Sequence, residues 1–105
     1  MPERSFMEIW SLGSDEITWV EGFNRSSRVW AAFQLRFFRH HGRFPSRGGD
    51  IDDESLRYLA EQLGFAVPDR SDFRFGRKSA RRQRTAVLSL LKVRRATDHD
   101  REYLR

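Results

Sequence analysis

The chain has 105 residues, no cysteine and a formal net charge of +5. This length is that of one small domain, and the absence of cysteine excludes a disulfide framework and a thiolate metal site. No apolar run approaches the roughly 20 residues that cross a bilayer, and the first residues lack the basic-then-apolar order of a signal peptide. We therefore expect one domain over residues 1–105, in the cytoplasm and without a membrane partner.

Charge is arranged in blocks along the chain. Residues 24–49 carry six arginines and no acid, and residues 73–96 carry nine Lys or Arg and no acid. The segments 1–23 and 50–72 are acidic, with net charges of −4 and −5. If the two basic blocks share one face, the molecule has the electrostatic footprint of a nucleic-acid binder. The alternative is mutual neutralisation of acidic and basic helices on a solvated surface.

The first 23 residues predict a helical hairpin. Ser5 followed by Glu8 matches a capping box, and Leu12-Gly13-Ser14 breaks the helix that follows. Asp15 and Glu16 favour the first turn of a second helix because they complement its dipole. This hairpin carries little positive charge, so we expect it to cover the core and give it no binding role.

The stretch from Ser27 to Pro45 is the expected centre of the fold, because its apolar side chains point in most directions around a helix. They are Val29, Trp30, Ala32, Phe33, Leu35, Phe37, Phe38 and Phe44. Ser26 or Ser27 is the expected N-cap and Gly42 the left-handed exit, which places the helix at about residues 27–42. Its charged groups are all arginines whose guanidinium heads we expect in water, a hint of an anionic partner. These are Arg28, Arg36, Arg39 and Arg43.

A shorter amphipathic helix is predicted after a glycine-rich turn. Asp52 is its expected N-cap, Ile51 can pack on Leu56, and Gly64 ends it. Carboxylates cluster in its first turn, and we assign them to the cap and the helix dipole rather than to a metal ion. These are Asp52, Asp53 and Glu54.

The last third of the chain predicts a loop and then a basic helix. Residues 65–78 contain a proline and a glycine, and we expect Phe73 and Phe75 to pin this loop to the core. A helix follows over about residues 79–93, and Thr97 is expected to cap a separate final helix. Arginines crowd the first half of the basic helix, where their charge interacts unfavourably with the positive end of the helix dipole. An anionic ligand bound there would make that interaction energy favourable.

These elements together predict an all-α protein, a compact bundle of five to six helices around the central one, with a helix-turn-helix-like arrangement left open. No Ser/His/Asp arrangement, phosphate loop or catalytic carboxylate pair is recognisable, so we expect no enzymatic activity, no cofactor and no metal ion. His40 and His41 are adjacent, and on a helix their side chains should diverge by about 100°.

Three motifs follow one another in the chain. They are RVWAAFQL at residues 28–35 continuing to GRFP at 42–45, LRYLAEQLG at 56–64, and GR at 76–77 followed by RRQR at 81–84 and LL at 90–91. Their order and spacing resemble the N-terminal part of the replicative transposases of the Tn-three family. The chain departs from that family at four positions. Trp30 stands where the family usually has a small residue, and Gln83 where it has His. Ala86 stands in place of Glu, and Lys92 in place of Gly.

The resemblance implies a DNA-recognition domain that binds the terminal inverted repeats of a transposon. It also implies a piece of a longer bacterial transposase, in which a distant catalytic domain performs strand transfer. Double-stranded DNA is then the expected partner, with association to the nucleoid when bound and self-association through the full-length parent.

The expected DNA contacts lie mainly in the second basic block, where Arg and Lys would reach phosphates and guanine edges. They are Arg74, Arg77, Lys78, Arg81, Arg82, Gln83 and Arg84, with supporting phosphate contacts from Arg43 and Arg47. Two alternatives stay open. One is a protein-interaction or self-association module, and the other is an RNA binder that stacks bases on Phe73 and Phe75.

Overall fold

Five α-helices account for most of the chain in the computed structural model, which describes residues 6–69, 71, 73 and 77–103, with side chains as far as Lys92. They are α1 (Phe6–Trp10), α2 (Ser14–Val20), α3 (Arg25–His41), α4 (Asp53–Leu63) and α5 (Lys78–Tyr103), with one 3₁₀ turn at Gly48–Asp50. No strand occurs among the described residues. The predicted all-α fold is confirmed.

Helix α3 lies at the centre and packs against the other four helices. Every residue from Val29 to Leu35 is buried, as expected of a helix that is apolar nearly all round. Phe33 is fully buried, and the ring of Trp10 stacks on it with centroids 5.4 Å apart. Aromatic side chains thus pack around this helix and form much of the core.

The start of α3 differs from the prediction, and its end agrees with it. The helix begins at Arg25 with Asn24 as N-cap, so Ser26 and Ser27 lie within the first turn and the serine caps were wrong. The reason is local: the amide of Ser27 already donates to the carbonyl oxygen of Asn24 at 2.9 Å, so the helix is capped two or three residues earlier than predicted. Gly42 leaves the helix in the left-handed conformation, with φ at +77°.

Helix α4 begins and ends at the residues that the sequence indicates. Asp52 caps it, with its Oδ2 accepting from the amide of Ser55 at 3.3 Å. Gly64 ends it with φ at +79°. Ile51 and Leu56 are both buried. Local capping chemistry therefore sets both ends of this helix.

Two polar side chains of α4 hold the helical hairpin α1–α2: the hydroxyl of Tyr58 lies 2.8 Å from that of Ser11, and Gln62 bonds to the backbone. Gln62 accepts from the amide of Leu12 at 2.8 Å and donates to the carbonyl oxygen of Trp10 at 2.9 Å. These two bonds satisfy backbone groups where α1 stops, so the turn between the helices is held against the bundle. The hairpin was predicted, although Ser5 of the proposed capping box lies outside the described residues.

Helix α5 runs without a break from Lys78 to Tyr103, so the predicted separate helix beginning at Thr97 is wrong. No glycine or proline stands in this range, and a threonine can cap a helix only where the chain leaves helical geometry. Its 26 residues make a rod of about 39 Å. No helix among the described residues is both long enough and apolar enough to cross a membrane.

The connection between α4 and α5 occupies residues 64–77, much longer than the three or four residues of a helix-turn-helix turn. Phe73 fastens it as predicted: the side chain is buried and stacks on Trp30 with ring centroids 4.7 Å apart. Phe75 lies outside the described residues. The loop thus brings the start of α5 against the first half of α3.

Candidate nucleic-acid interface

One face of α5 is exposed, polar and free of acidic residues. The residues on it recur at helical spacing: Lys78, Arg81, Arg82, Thr85, Ser89 and Lys92. They share one side of the helix because side chains three, four and seven positions apart point the same way. Among the described residues, none of the four cations in this set forms an ion pair. We call this set the α5 face.

The opposite side of α5 packs on α3 and includes Gln83. Ala80, Gln83 and Val87 are buried there. The Nε2 group of Gln34 donates to Oε1 of Gln83 at 2.7 Å, which ties α3 to α5 through a buried amide pair. Gln83, which the sequence placed among the DNA contacts, is therefore not part of the α5 face, because its side chain points towards α3.

The other predicted residues of the second basic block lie beside the α5 face. Arg77 is exposed immediately before the helix, and Arg84 is half-buried at the flank. Arg74 lies outside the described residues. The structure thus brings Arg77, Lys78, Arg81 and Arg82 together at the start of α5.

Arg43 and Arg47 lie at the other end of α3. Ser27, at the first turn of α3, contacts Gln83, whereas Arg43 follows the last turn, about 22 Å further along the helix axis. The guanidinium of Arg43 donates to both carboxylate oxygens of Asp50 at 3.2 Å. Two donors, Arg43 foremost and the amide of Ser46 next, hold the pKa of Asp50 well below its usual range. Arg43 is engaged within its own loop, and Arg47 is exposed.

Arg36, within α3, is also engaged by the protein. Arg36 donates to both carboxylate oxygens of Glu16, at 3.0 and 3.2 Å, and to the carbonyl oxygens of Glu8 and Ile9. Its side chain is only 14% exposed. The expectation that its guanidinium lies in water was wrong, because α2 supplies a buried carboxylate opposite it.

The first turns of α3 and α5 enclose a cleft of about 760 Å³ that the sequence did not indicate. Arg25, Ser26 and Ser27 line it from α3, and Arg77 and Ser79 line it from the start of α5. Phe65, after α4, forms part of its wall, and Arg25 lies over that ring at 5.9 Å. Arg25 of the first basic block and Arg77 of the second thus line the same cleft.

No metal centre forms among the described residues, since no three His, Asp or Glu side chains converge there. His40 and His41 do come together, with ring centroids 4.6 Å apart, so the expected divergence of their side chains was wrong. Burial, helped by the neighbouring charges of His40 and Arg43, lowers the pKa of His41.

Comparison with known protein families gives a match over nearly the whole chain. The family model described as "Domain of unknown function (DUF4158)" matches residues 2–105, nearly the whole chain. No curated protein and no solved structure matches it. The motifs of the central helix, of α4 and of the basic segment all fall inside the matched range. The chain therefore belongs to the DUF4158 family, a domain family found in transposases.

Proposed function

We propose that this chain binds double-stranded DNA through the α5 face, and that in a longer transposase it recognises the terminal inverted repeats of the transposon. The observation that carries the proposal is that the cations on that face are exposed and, among the described residues, unpaired. Lys78, Arg81, Arg82 and Lys92 are exposed, lie on one side of a long helix and form no ion pair among the described residues. Unpaired cations aligned on one helix are the electrostatic requirement for binding a phosphate backbone.

The dimensions of α5 suit the major groove. A helix with its side chains is about 10–12 Å across and the groove is about 12 Å wide. Successive residues differ by about 100° in direction, so Arg81 and Arg82 diverge to the two sides of the face. Thr85 and Ser89 lie between them, where a helix in the groove meets base edges. Arginine can read guanine there, and threonine can contact a thymine methyl group.

The membership in a family found in transposases supports the second half of the proposal. DNA transposition needs a part of the protein that identifies the transposon ends, and a small helical domain with one cationic face is suited to that task. Strand transfer would then belong to another domain of the longer protein, and this chain would act as its DNA-recognition domain.

The direct test is fluorescence anisotropy with an inverted-repeat end and a scrambled duplex, from 50 to 300 mM salt. Arg77 together with the four cations of the α5 face allows about five phosphate contacts, so log K should fall with log salt at a slope of about −4.5. Tighter binding to the repeat end that persists as salt rises supports sequence recognition. Absence of binding to either duplex at 50 mM salt contradicts the proposal.

Replacing Arg81 and Arg82 together by Ala should weaken DNA binding about tenfold or more and reduce the salt slope by about 2. The melting temperature should stay near that of the wild type, because both side chains are exposed. The matched control is Arg57→Ala, which removes an exposed arginine from α4. If the control weakens binding as much as the double variant, the effect reflects net charge and the α5 face is not the site.

The alternative is a protein-interaction or self-association module. Leu88 favours it, since this side chain is 49% exposed on α5 and, with Phe38 and Leu91, lines a shallow cavity of about 260 Å³. Sedimentation velocity decides between the two functions. A chain that dimerises but does not bind DNA at 50 mM salt supports the alternative.

A further inference from the structure

We propose that the cleft between the first turns of α3 and α5 holds a phosphate group of the DNA backbone, with Arg25 and Arg77 as its cationic ligands. This inference rests on the proposed DNA binding and extends the contact surface from α5 to α3. The sequence placed Arg25 half a chain away from the basic helix, and only the fold joins them.

The first support is the charge of the cleft. Two guanidinium groups and the hydroxyl groups of Ser26, Ser27 and Ser79 line it. None of the described residues that line it is acidic. Neither Arg25 nor Arg77 forms an ion pair among the described residues, in contrast to Arg36 and Arg43. The two arginines favour an anion, while the rest of the wall includes apolar side chains such as Trp30 and Phe65.

The second support is the supply of hydrogen-bond donors besides the arginines. Asn24 makes no side-chain capping bond, so the amides of Arg25 and Ser26 have no capping partner among the described residues, whereas the amide of Ser27 donates to the carbonyl oxygen of Asn24. Gln83, which is 4% exposed, also lines the cleft. Its Nε2 carries two hydrogens but makes one hydrogen bond among the described residues, at 3.4 Å to the carbonyl oxygen of Ser27. A buried N–H is therefore left for an acceptor in the cleft.

The third support is continuity with the α5 face. Arg77 precedes Lys78 directly, and Ser79 shares the first turn of α5 with Lys78 and Arg81. DNA that lies along α5 passes the mouth of the cleft at the helix start. A strand flanking the groove would therefore present a phosphate to Arg25 while the α5 face meets the bases. Backbone contacts of this kind fix the register of a protein on the duplex.

The test compares Arg25→Ala, Arg25→Lys and the control Arg57→Ala in anisotropy titrations with one duplex of about 30 base pairs. Loss of one phosphate contact should make the salt slope shallower by about 0.9, which corresponds to about eightfold weaker binding at 0.1 M salt. Arg25→Lys should keep most of the slope, and Arg57→Ala should match the wild type. Circular dichroism melting checks that the exposed Arg25 can be removed without unfolding.

Unchanged affinity and slope in Arg25→Ala, with binding still weakened in the Arg81/Arg82 double variant, overturns the cleft and leaves DNA binding by α5 intact. Absence of binding by the wild type overturns both. A second measurement follows the backbone amide signals of Ser26 and Ser27 by NMR. These signals should shift on addition of the duplex. Signals that shift with inorganic phosphate but not with the duplex contradict the assignment to DNA.

Discussion

Helix α3 and residues 78–97 of α5 are both rich in arginine and free of acidic residues, yet the fold uses their charges in opposite ways. In α3, Arg36 is buried against Glu16, and Arg28 donates to the carbonyl oxygens of Glu21 and Phe23. On the α5 face, no cation is paired among the described residues. Both helices carry a net positive charge. They differ in whether hydrogen-bond acceptors lie opposite the arginine side chains, as they do for Arg28 and Arg36 in α3.

The acceptors come from the acidic hairpin. Glu16 lies on α2 and is 4% exposed. Its Oε2 also forms an ion pair with Nε of Arg39 at 3.6 Å. Because α1 and α2 pack on α3, Glu16 of the acidic first block neutralises Arg36 and Arg39 of the first basic block. The cations of the α5 face stay exposed. Mutual neutralisation, which the sequence left open as an alternative, thus applies to part of the first basic block and not to the α5 face.

The largest expected effect follows from removing the buried partner in α3. Arg36→Ala should lower the free energy of unfolding by about 3–5 kcal/mol, because it leaves Glu16 buried without its main partner and frees two carbonyl oxygens of α1. Urea denaturation measures it. The matched control is Arg39→Ala, whose partner is the same carboxylate but whose side chain is 36% exposed. It should cost about 1 kcal/mol or less.

Equal losses in these two variants would mean that burial does not separate the arginines of α3. The same assay sharpens the comparison with α5. Arg81→Ala should change the unfolding free energy by less than about 0.5 kcal/mol, since its side chain is exposed and unpaired. A large loss there would make Arg81 a structural residue.

An intermediate effect is expected where the two helices meet. Gln83→Leu removes the acceptor of Gln34 Nε2, leaving that donor a single 3.5 Å contact to the carbonyl oxygen of Ala80. The cost should be about 1–3 kcal/mol by thermal or urea unfolding. The double variant Gln34→Leu/Gln83→Leu should recover most of it, because Oε1 of Gln34 is already buried without a partner. A double variant less stable than the single one would contradict this account.

The smallest effect concerns the loop after α3. Arg43 and the amide of Ser46 lower the pKa of Asp50, so the unfolded state binds more protons on the acid side. This stabilisation is present above about pH 4, the unfolded pKa of Asp, and is lost as the pH falls further. Asp50→Asn should therefore be less stable than the wild type at pH 7, with a gap that narrows below pH 4. A pH series of urea midpoints measures the gap, and a gap constant with pH would contradict the ion pair as its source.

Much of the fold could be predicted because it depends on neighbours in sequence. The ends of α4 follow from Asp52 and Gly64, and the burial of α3 follows from an apolar pattern with few interruptions. The start of α3 was harder, since Asn24, Ser26 and Ser27 are all good capping residues and stand within four positions. Nothing in propensity separates them. Helix α5 continued past Thr97 because a capping residue does not end a helix in the absence of a breaker.

The candidate site was less predictable. Arg81, Arg82 and Gln83 were predicted together as DNA contacts, but Arg81 and Arg82 are exposed whereas Gln83 is buried. Its buried partner, Gln34, stands 49 positions earlier in the chain. Arg25 was missed for the same reason: the residues around it in space come from after α4 and from the start of α5.

The sequence by itself determined the helices, the buried character of α3 and the alternation of acidic and basic blocks, because these depend on side chains within a few turns of one another. Only the tertiary structure decided which cations have partners. Pairing Arg36 with Glu16, and Arg25 with the cleft beside Arg77, depends on how the helices pack, and a guanidinium group interacts strongly with acceptors only within a few ångströms.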